Sequence, residues 1–255
     1  MNTRTLLVTN DDGITAKGIN TLKRIAMQFG AVTVVAPDKP QSGMGHAITL
    51  NNTLRAVPTK SDLGITEYAC SGTPVDCVKL AVAHLLPSKP NLILSGINHG
   101  SNSSISVIYS GTMSAAVEGA IEGIASIGFS LCTEKYDADF DQYEPFICKI
   151  INHVLTTGLD AGICLNVNIP NVPANQIKGI KICRQAKAQW VEKFDQRHDP
   201  SGNAYYWLTG YLHNEDLGED TDEHALKNNY ISVVPVMHDL TAHTLIQKHK
   251  SIEVA

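Results

Sequence analysis

The chain has 255 residues, 43% of them hydrophobic, enough to bury one sizeable core and better suited to a single α/β domain with appendages than to two independent domains. Its 25 acidic and 20 basic residues leave a formal charge of -5, the wrong sign for holding a nucleic-acid polymer by neutralising its phosphates. A small anion is still admissible, because a metal ion can reverse the local field in a cleft. Six scattered cysteines, none in a Cys-x-x-Cys pair, read as reduced thiols. The apolar run at residues 5–8 is too short for a signal-peptide core and no stretch is long enough to span a bilayer, so a cytoplasmic protein without membrane attachment is expected.

Along the first half, short β-branched runs alternate with helix-like segments, the pattern of β-α-β units and a mostly parallel sheet. Strands are expected at residues 5–9, 32–35, 91–95 and 127–132. Between the first two, Ile19, Leu22, Ile25 and Ala26 recur at helical spacing, predicting a helix over 17–29 with Gly30 as its stop. Thr73-Pro74 opens a second helix, since Thr caps free amides and Pro is tolerated in the first turn; Val75, Val78, Val82 and Leu85 form its buried stripe. A third helix runs over 112–124, with Met113, Ala116, Val117, Ala120 and Ile124 on one face. Beyond Gly158, strands are expected at 163–169, 177–182, 204–208 and 230–236, and the acid-rich stretch 214–223 as an exposed loop. Without an internal repeat or low-complexity linker, residues 1–255 read as one unit, with a core over 1–170 and an extension and tail over 171–255.

In a doubly wound sheet, ligands sit where loops leave the carboxyl ends of the strands. Three such loops are rich in oxygen donors and glycine: Asn10-Asp11-Asp12-Gly13, the stretch 36–46 containing Ser42 and His46, and the stretch 95–102 containing Asn98 and His99. Asp11-Asp12 alone fits an ordinary turn or cap. Together with Ser42 and Asn98, the pair would instead balance one divalent ion and leave positions for water and phosphate, and an all-oxygen set selects Mg²⁺ or Mn²⁺. Tyr109-Ser110-Gly111-Thr112 precedes the third helix, where Ser110 or Thr112 either caps the helix or joins Gly111 in a phosphate cradle built on free amides. His46, His99 and Tyr109 are pocket candidates, the histidines as donors to phosphate or as groups facing solvent. There is no P-loop, dinucleotide fingerprint or Gly-x-Ser-x-Gly elbow.

Taken in order, VTNDDGI, VVAPDKPQSG, SGTPVDCVKLA, LILSGINHGSN and VIYSGTMSAAVEGA resemble the successive blocks of the SurE (survival protein E) family of nucleotidases. The similarity continues weakly to the end of the chain and is faintest over 187–203. It implies an α/β fold of Rossmann-like type, with a doubly wound, mostly parallel sheet and an irregular β-rich extension used for oligomerisation as a homodimer or homotetramer. It implies one divalent cation per subunit on Asp11, Asp12, Ser42 and Asn98, phosphate contacts from Asn98, Ser110, Gly111 and Thr112, and hydrolysis of nucleoside 5′- or 3′-monophosphates, with some members also attacking short polyphosphate. The chain departs from the family pattern at Ser103-Ser104-Ile105-Ser106, where Leu-Gly and acidic residues are usual.

The expected mechanism is attack by a metal-activated water, with Asp12 accepting its proton and Asp11 and Asn98 completing the catalytic group; an aspartyl-phosphate on Asp12 is the other route. Two other readings stand beside this one: a nucleotide-binding regulatory module without turnover, and an enzyme for a different phosphorylated metabolite.

Overall fold

In the computed structural model, which describes residues 4–135 and 137–253, the first half alternates strands and helices: β1 (Thr5–Thr9), α1 (Lys17–Ala26), β2 (Ala31–Pro37), β3 (Ala56–Thr59), β4 (Thr66–Cys70), α2 (Pro74–Leu80), β5 (Leu92–His99), α3 (Gly111–Ile121), β6 (Ser126–Leu131), α4 (Glu144–Thr157) and β7 (Ile163–Ile169). The second half adds β8 (Gly179–Ile182), β9 (Ala188–His198), β10 (Ala204–Asn214), α5 (Asp222–Lys227), β11 (Tyr230–Met237) and the short α6 (Ile246–His249). Nine strands form one sheet in the order β3-β4-β2-β1-β5-β6-β7-β11-β8. From β4 to β7 neighbouring strands are parallel, β3 and β11 pair antiparallel to β4 and β7, and β8 is parallel to β11. Two strands from beyond residue 170 therefore complete the central sheet.

Helices cover both faces of this sheet, which is why its inner strands are apolar on both sides rather than alternating. Leu6, Leu7, Val8, Leu92, Ile93, Leu94, Ile127 and Phe129 are all buried. On one face Ile19, Leu22, Ile25 and Ala26 of α1 meet Ile147, Ile150, Ile151 and Val154 of α4 in the larger core. On the other, Val78 and Cys77 of α2 pack with Ala115 of α3. Gly18 lets α1 lie against β5: a Cβ there would sit 1.9 Å from the Ile97 carbonyl oxygen.

Several boundaries differ from the sequence reading. Helix α1 ends at Ala26, before Phe29. Strand β5 runs on to His99 because Asn98 and His99 resume pairing with Ser130 and Leu131 of β6 after an irregularity at Ser95. Asn98 and His99 are thus strand-end residues, and the loop begins at Gly100. Helix α4 carries a clear helical rhythm in Ile147, Ile150, Ile151 and Val154. Strand β9 lacks a visible alternation because both faces of its ribbon with β10 are largely exposed. The stretch 214–223 is more than an exposed loop: Asp216 and Asp220 pair with Arg184, Thr221 caps α5, and Asp222 is buried. Val254 and Ala255, at the end of the tail, lie outside the described residues.

Helix α2 begins with a capping box: the Thr73 hydroxyl accepts from the Asp76 N–H at 3.1 Å and the Asp76 carboxylate accepts from the Thr73 N–H at 2.9 Å. The same carboxylate also takes the Thr49 N–H and hydroxyl, at 3.0 and 2.6 Å, pinning the irregular segment that follows β2. Burial alone would raise the Asp76 carboxyl, but these bonds outweigh it and hold it below its ordinary value. A group so depressed adds stability above the ordinary carboxylate pKa and loses it as pH falls through the lower folded value. Asp76→Ala is expected to cost about 2 kcal/mol or more in urea denaturation at neutral pH, and the gap from wild type should narrow below about pH 4. An unchanged midpoint at neutral pH would remove Asp76 from the fold's supports.

Candidate active site at the carboxyl ends of β1 and β5

β1 lies between β2 and β5, so the chain winds away from it in both directions and a crevice opens at the carboxyl ends of β1 and β5. Asn10 closes the turn after β1 by donating its side-chain N–H to the Gly13 carbonyl at 2.8 Å, and Gly13 takes a φ of 97°. This turn presents Asp11 inward, 4% exposed, and leaves Asp12 more open. The segment after β2 is drawn to the same place, because the Gln41 N–H donates to the Asp11 carbonyl at 2.8 Å just before Ser42. β5 delivers Asn98, whose side-chain amide donates one N–H to the Gly100 carbonyl at 3.0 Å, which leaves Oδ1 as an oxygen for a cation and the second N–H for an anion.

Helix α3 supplies the fourth wall. Ser110 is its N-cap and accepts from the Met113 N–H at 3.0 Å, while the Thr112 hydroxyl donates to Asp11 Oδ1 at 2.5 Å. Gly111 is required by the closeness of this approach: a Cβ there would lie 2.7 Å from the Asp11 Cβ and 2.9 Å from its Oδ2. Of the two alternatives for this segment, the cap is the one observed, and it falls to Ser110. Ser110 caps the helix, the Thr112 hydroxyl is committed to Asp11, and the first backbone N–H groups of α3 are what it offers an anion.

Burial pushes the Asp11 carboxyl up to about 6; the Thr112 hydrogen bond opposes this and the neighbouring Asp12 charge adds to it. Asp12 Oδ2 accepts from the His99 N–H at 3.2 Å and lies 3.4 Å from His99 Nδ1, while the His99 ring sits edge-on to Phe140 at 4.9 Å between centroids. Among the described residues no three or more His, Cys, Asp or Glu side chains group as metal ligands. The donors here are instead two carboxylates with neutral amide and hydroxyl oxygens, a set that fits a hard cation and offers nothing to a soft one.

Asp11, Ser42, Asn98, Tyr109 and Ser110 line a cleft of about 310 Å³. Ser42 also borders a second cleft of about 660 Å³ with Asp12 and His99. The structure thus gathers Asp11, Asp12, Ser42, Asn98, His99, Tyr109, Ser110, Gly111 and Thr112 around one crevice. His46 is directed elsewhere, with Nε2 2.9 Å from the carboxylate of the buried Glu118 on α3, which also pairs with Lys79 of α2 at 2.6 Å. Sequence reasoning missed Glu118, whose place within a small-residue helix was its one signal. It also missed the buried amides behind the crevice: Asn168 Oδ1 accepts the Asn102 N–H and Asn166 donates to the Asn102 carbonyl, both at 2.8 Å. Polar residues alternating in the Asn166-Val167-Asn168 run of a buried strand marked that network.

The model of a family described as Survival protein SurE matches residues 6–192, well over half the chain. The chain belongs to the SurE family. Its relatives include proteins named 5′-nucleotidase SurE from Flavobacterium psychrophilum, 60% identical over 95% of each chain, and from Flavobacterium johnsoniae, 62% identical over 95% of this chain and 94% of that one. Among solved structures, the SurE protein from Aquifex aeolicus superposes with a TM-score of 0.84 at 39% identity, covering 98% of this chain and all of that one. The doubly wound sheet expected from the resemblance is therefore the fold of the family.

Thr112 touches the crevice only through Asp11, so its removal tests whether that carboxylate must be held. Thr112→Val is expected to weaken Mn²⁺ binding by roughly 10- to 100-fold in calorimetry while leaving the far-UV circular dichroism unchanged. Wild-type affinity in the variant would show that Asp11 needs no such support.

Proposed function

We infer that this chain is a 5′-nucleotidase that hydrolyses nucleoside monophosphates to nucleoside and phosphate with one divalent cation, Mg²⁺ or Mn²⁺, per subunit. The observation that carries the reading is the adjacent carboxylate pair held against the amino end of α3 at the switch point of the sheet. The names of the relatives point the same way. Asp11, Asp12, Ser42 and Asn98 would hold the cation, which supplies a positive charge that draws a phosphate oxygen and acidifies water.

The chain's own groups do the rest. Thr112 fixes Asp11, and His99 holds Asp12 through Oδ2, which leaves Asp12 Oδ1 to accept the proton of the attacking water. The free N–H groups at the start of α3, with Asn98 and Ser110, stabilise the charge that spreads over the phosphate oxygens. Phosphate release from AMP should vanish on chelation and return with Mg²⁺ or Mn²⁺, and Asp12→Asn should lower kcat by roughly 100-fold or more. Tight AMP binding without release under either metal would favour the regulatory module, and a higher kcat/KM for a sugar phosphate than for any nucleotide would reassign the substrate.

The protein assembles as a homodimer or homotetramer through residues beyond 170, although β8 and β11 belong to the central sheet. The support is the β9–β10 ribbon, eleven residue pairs long with no third strand among the described residues. Two-stranded ribbons are marginal alone, and this one exposes Phe194, Tyr206, Trp207, Leu208 and Tyr211. Six free cysteines, and no helix among the described residues long and apolar enough to cross a membrane, accord with a cytoplasmic location. Sedimentation equilibrium should return two or four times the chain mass of 27.6 kDa; the mass of a single chain would refute assembly.

A further inference from the structure

A cavity of about 1010 Å³ beside the site runs from His99, Gly100 and Ser101 toward the base of the β9–β10 ribbon and the start of α5. Trp190 and Ser106 line both this cavity and the cleft that holds Asp11, Asn98 and Ser110. Trp190 is directly paired with Leu212 across the ribbon, so both side chains leave the same face, and both border the cavity. The indole is fixed at its edge, where Nε1–H donates to Ser106 Oγ at 3.2 Å, and it is 41% exposed. An edge-anchored indole with open surface on a cavity wall is a stacking platform. Among the described residues, the one aromatic ring lining the 660 Å³ cleft beyond Asp12 is that of His99, which packs edge-on to Phe140.

Ser103 and Ser106 line this cavity, and the short segment 103–106 anchors its wall. Ser103 donates its hydroxyl to Glu223, which also lines the cavity, at 2.5 Å. Ser104, buried at a φ of 51°, donates its N–H to Asp222 at 2.7 Å and its hydroxyl to the Ala186 carbonyl at 2.9 Å, and accepts from the Ala188 N–H at 3.3 Å. Ser106 holds Trp190. One short segment thus ties the phosphate end of the site to the ribbon and to α5.

We propose that the nucleobase of the substrate stacks on Trp190 in this cavity, so that Trp190, set in place by Ser106, determines preference for nucleotides over simple phosphate esters. The proposal rests on the nucleotidase reading and deepens it. A base presents a π-face whatever its identity, so stacking on Trp190 selects for a base more than among bases.

The chain has two tryptophans, and Trp207 is exposed on the ribbon, so Trp207→Phe leaves Trp190 as the sole reporter. In that variant, with metal present, AMP should quench the emission saturably and ribose 5-phosphate should not. In kinetics, Trp190→Ala should lower the ratio of kcat/KM for AMP to that for ribose 5-phosphate roughly tenfold or more, chiefly through KM for AMP. Trp190→Phe, which keeps a ring and loses the Ser106 bond, should recover most of that ratio. An unchanged ratio in Trp190→Ala, or equal quenching by AMP and ribose 5-phosphate, would overturn the proposal. Absence of hydrolysis in the wild type would sink the nucleotidase reading alone, since the emission titration still reports base stacking.

Discussion

Two neighbouring carboxylates at the end of a parallel strand are the constraint around which this molecule is arranged. Asp11 is almost wholly buried and its charge is opposed both by lost hydration and by Asp12. A buried carboxylate without partners is costly, and the fold answers by bringing the first turn of α3 onto it: Thr112 supplies a hydroxyl, Gly111 supplies the space, and the helix amino end supplies a favourable field. That placement needs β1 at the switch point, flanked by β2 and β5, and it needs α3 to cross the sheet on small residues such as Ala115, Ala116 and Gly119.

The segment from Gln41 to Thr49 has almost no regular structure, yet it carries Ser42 into the crevice. Its course is set by bonds to rigid neighbours: Gln41 to Asp11, Gly45 to the Tyr109 carbonyl, His46 to Glu118, the Ala47 carbonyl to Thr73, and Thr49 to Asp76. The amino end of α2 and the buried carboxylate of α3 therefore act as fixed posts for a loop that could not hold a shape by itself. Behind the crevice, Asn102, Asn166 and Asn168 do the same for the loop after β5. Loops that would otherwise sample many conformations are placed before any substrate arrives, so little ordering entropy is left for binding to overcome.

The fold and the site were legible in the sequence to different depths. β1, β7 and the start of α2 could be read almost to the residue because burial on both faces or a Thr-Pro cap leaves little choice. The convergence of Asp11, Asp12, Ser42 and Asn98 was legible because strand ends in a doubly wound sheet share one edge. The contacts that orient those residues were not. The Thr112 hydroxyl reaches Asp11 across 101 positions and His46 reaches Glu118 across 72, and no local periodicity encodes such pairings. The β9–β10 ribbon was half hidden for a different reason: with neither face packed on the core of its own chain, its strands lose the apolar-polar alternation that reveals a strand packed on one side.

The central claim is that the four oxygen-bearing residues at the ends of β1, β2 and β5 form one cation site facing the amino end of α3. The most direct test is anomalous diffraction from crystals equilibrated with Mn²⁺ and phosphate. The account predicts one strong peak per subunit, bonded by oxygens of Asp11, Asp12, Ser42 and Asn98, with phosphate density between it and the first turn of α3. A peak held by other residues, or none at saturating Mn²⁺, would contradict it.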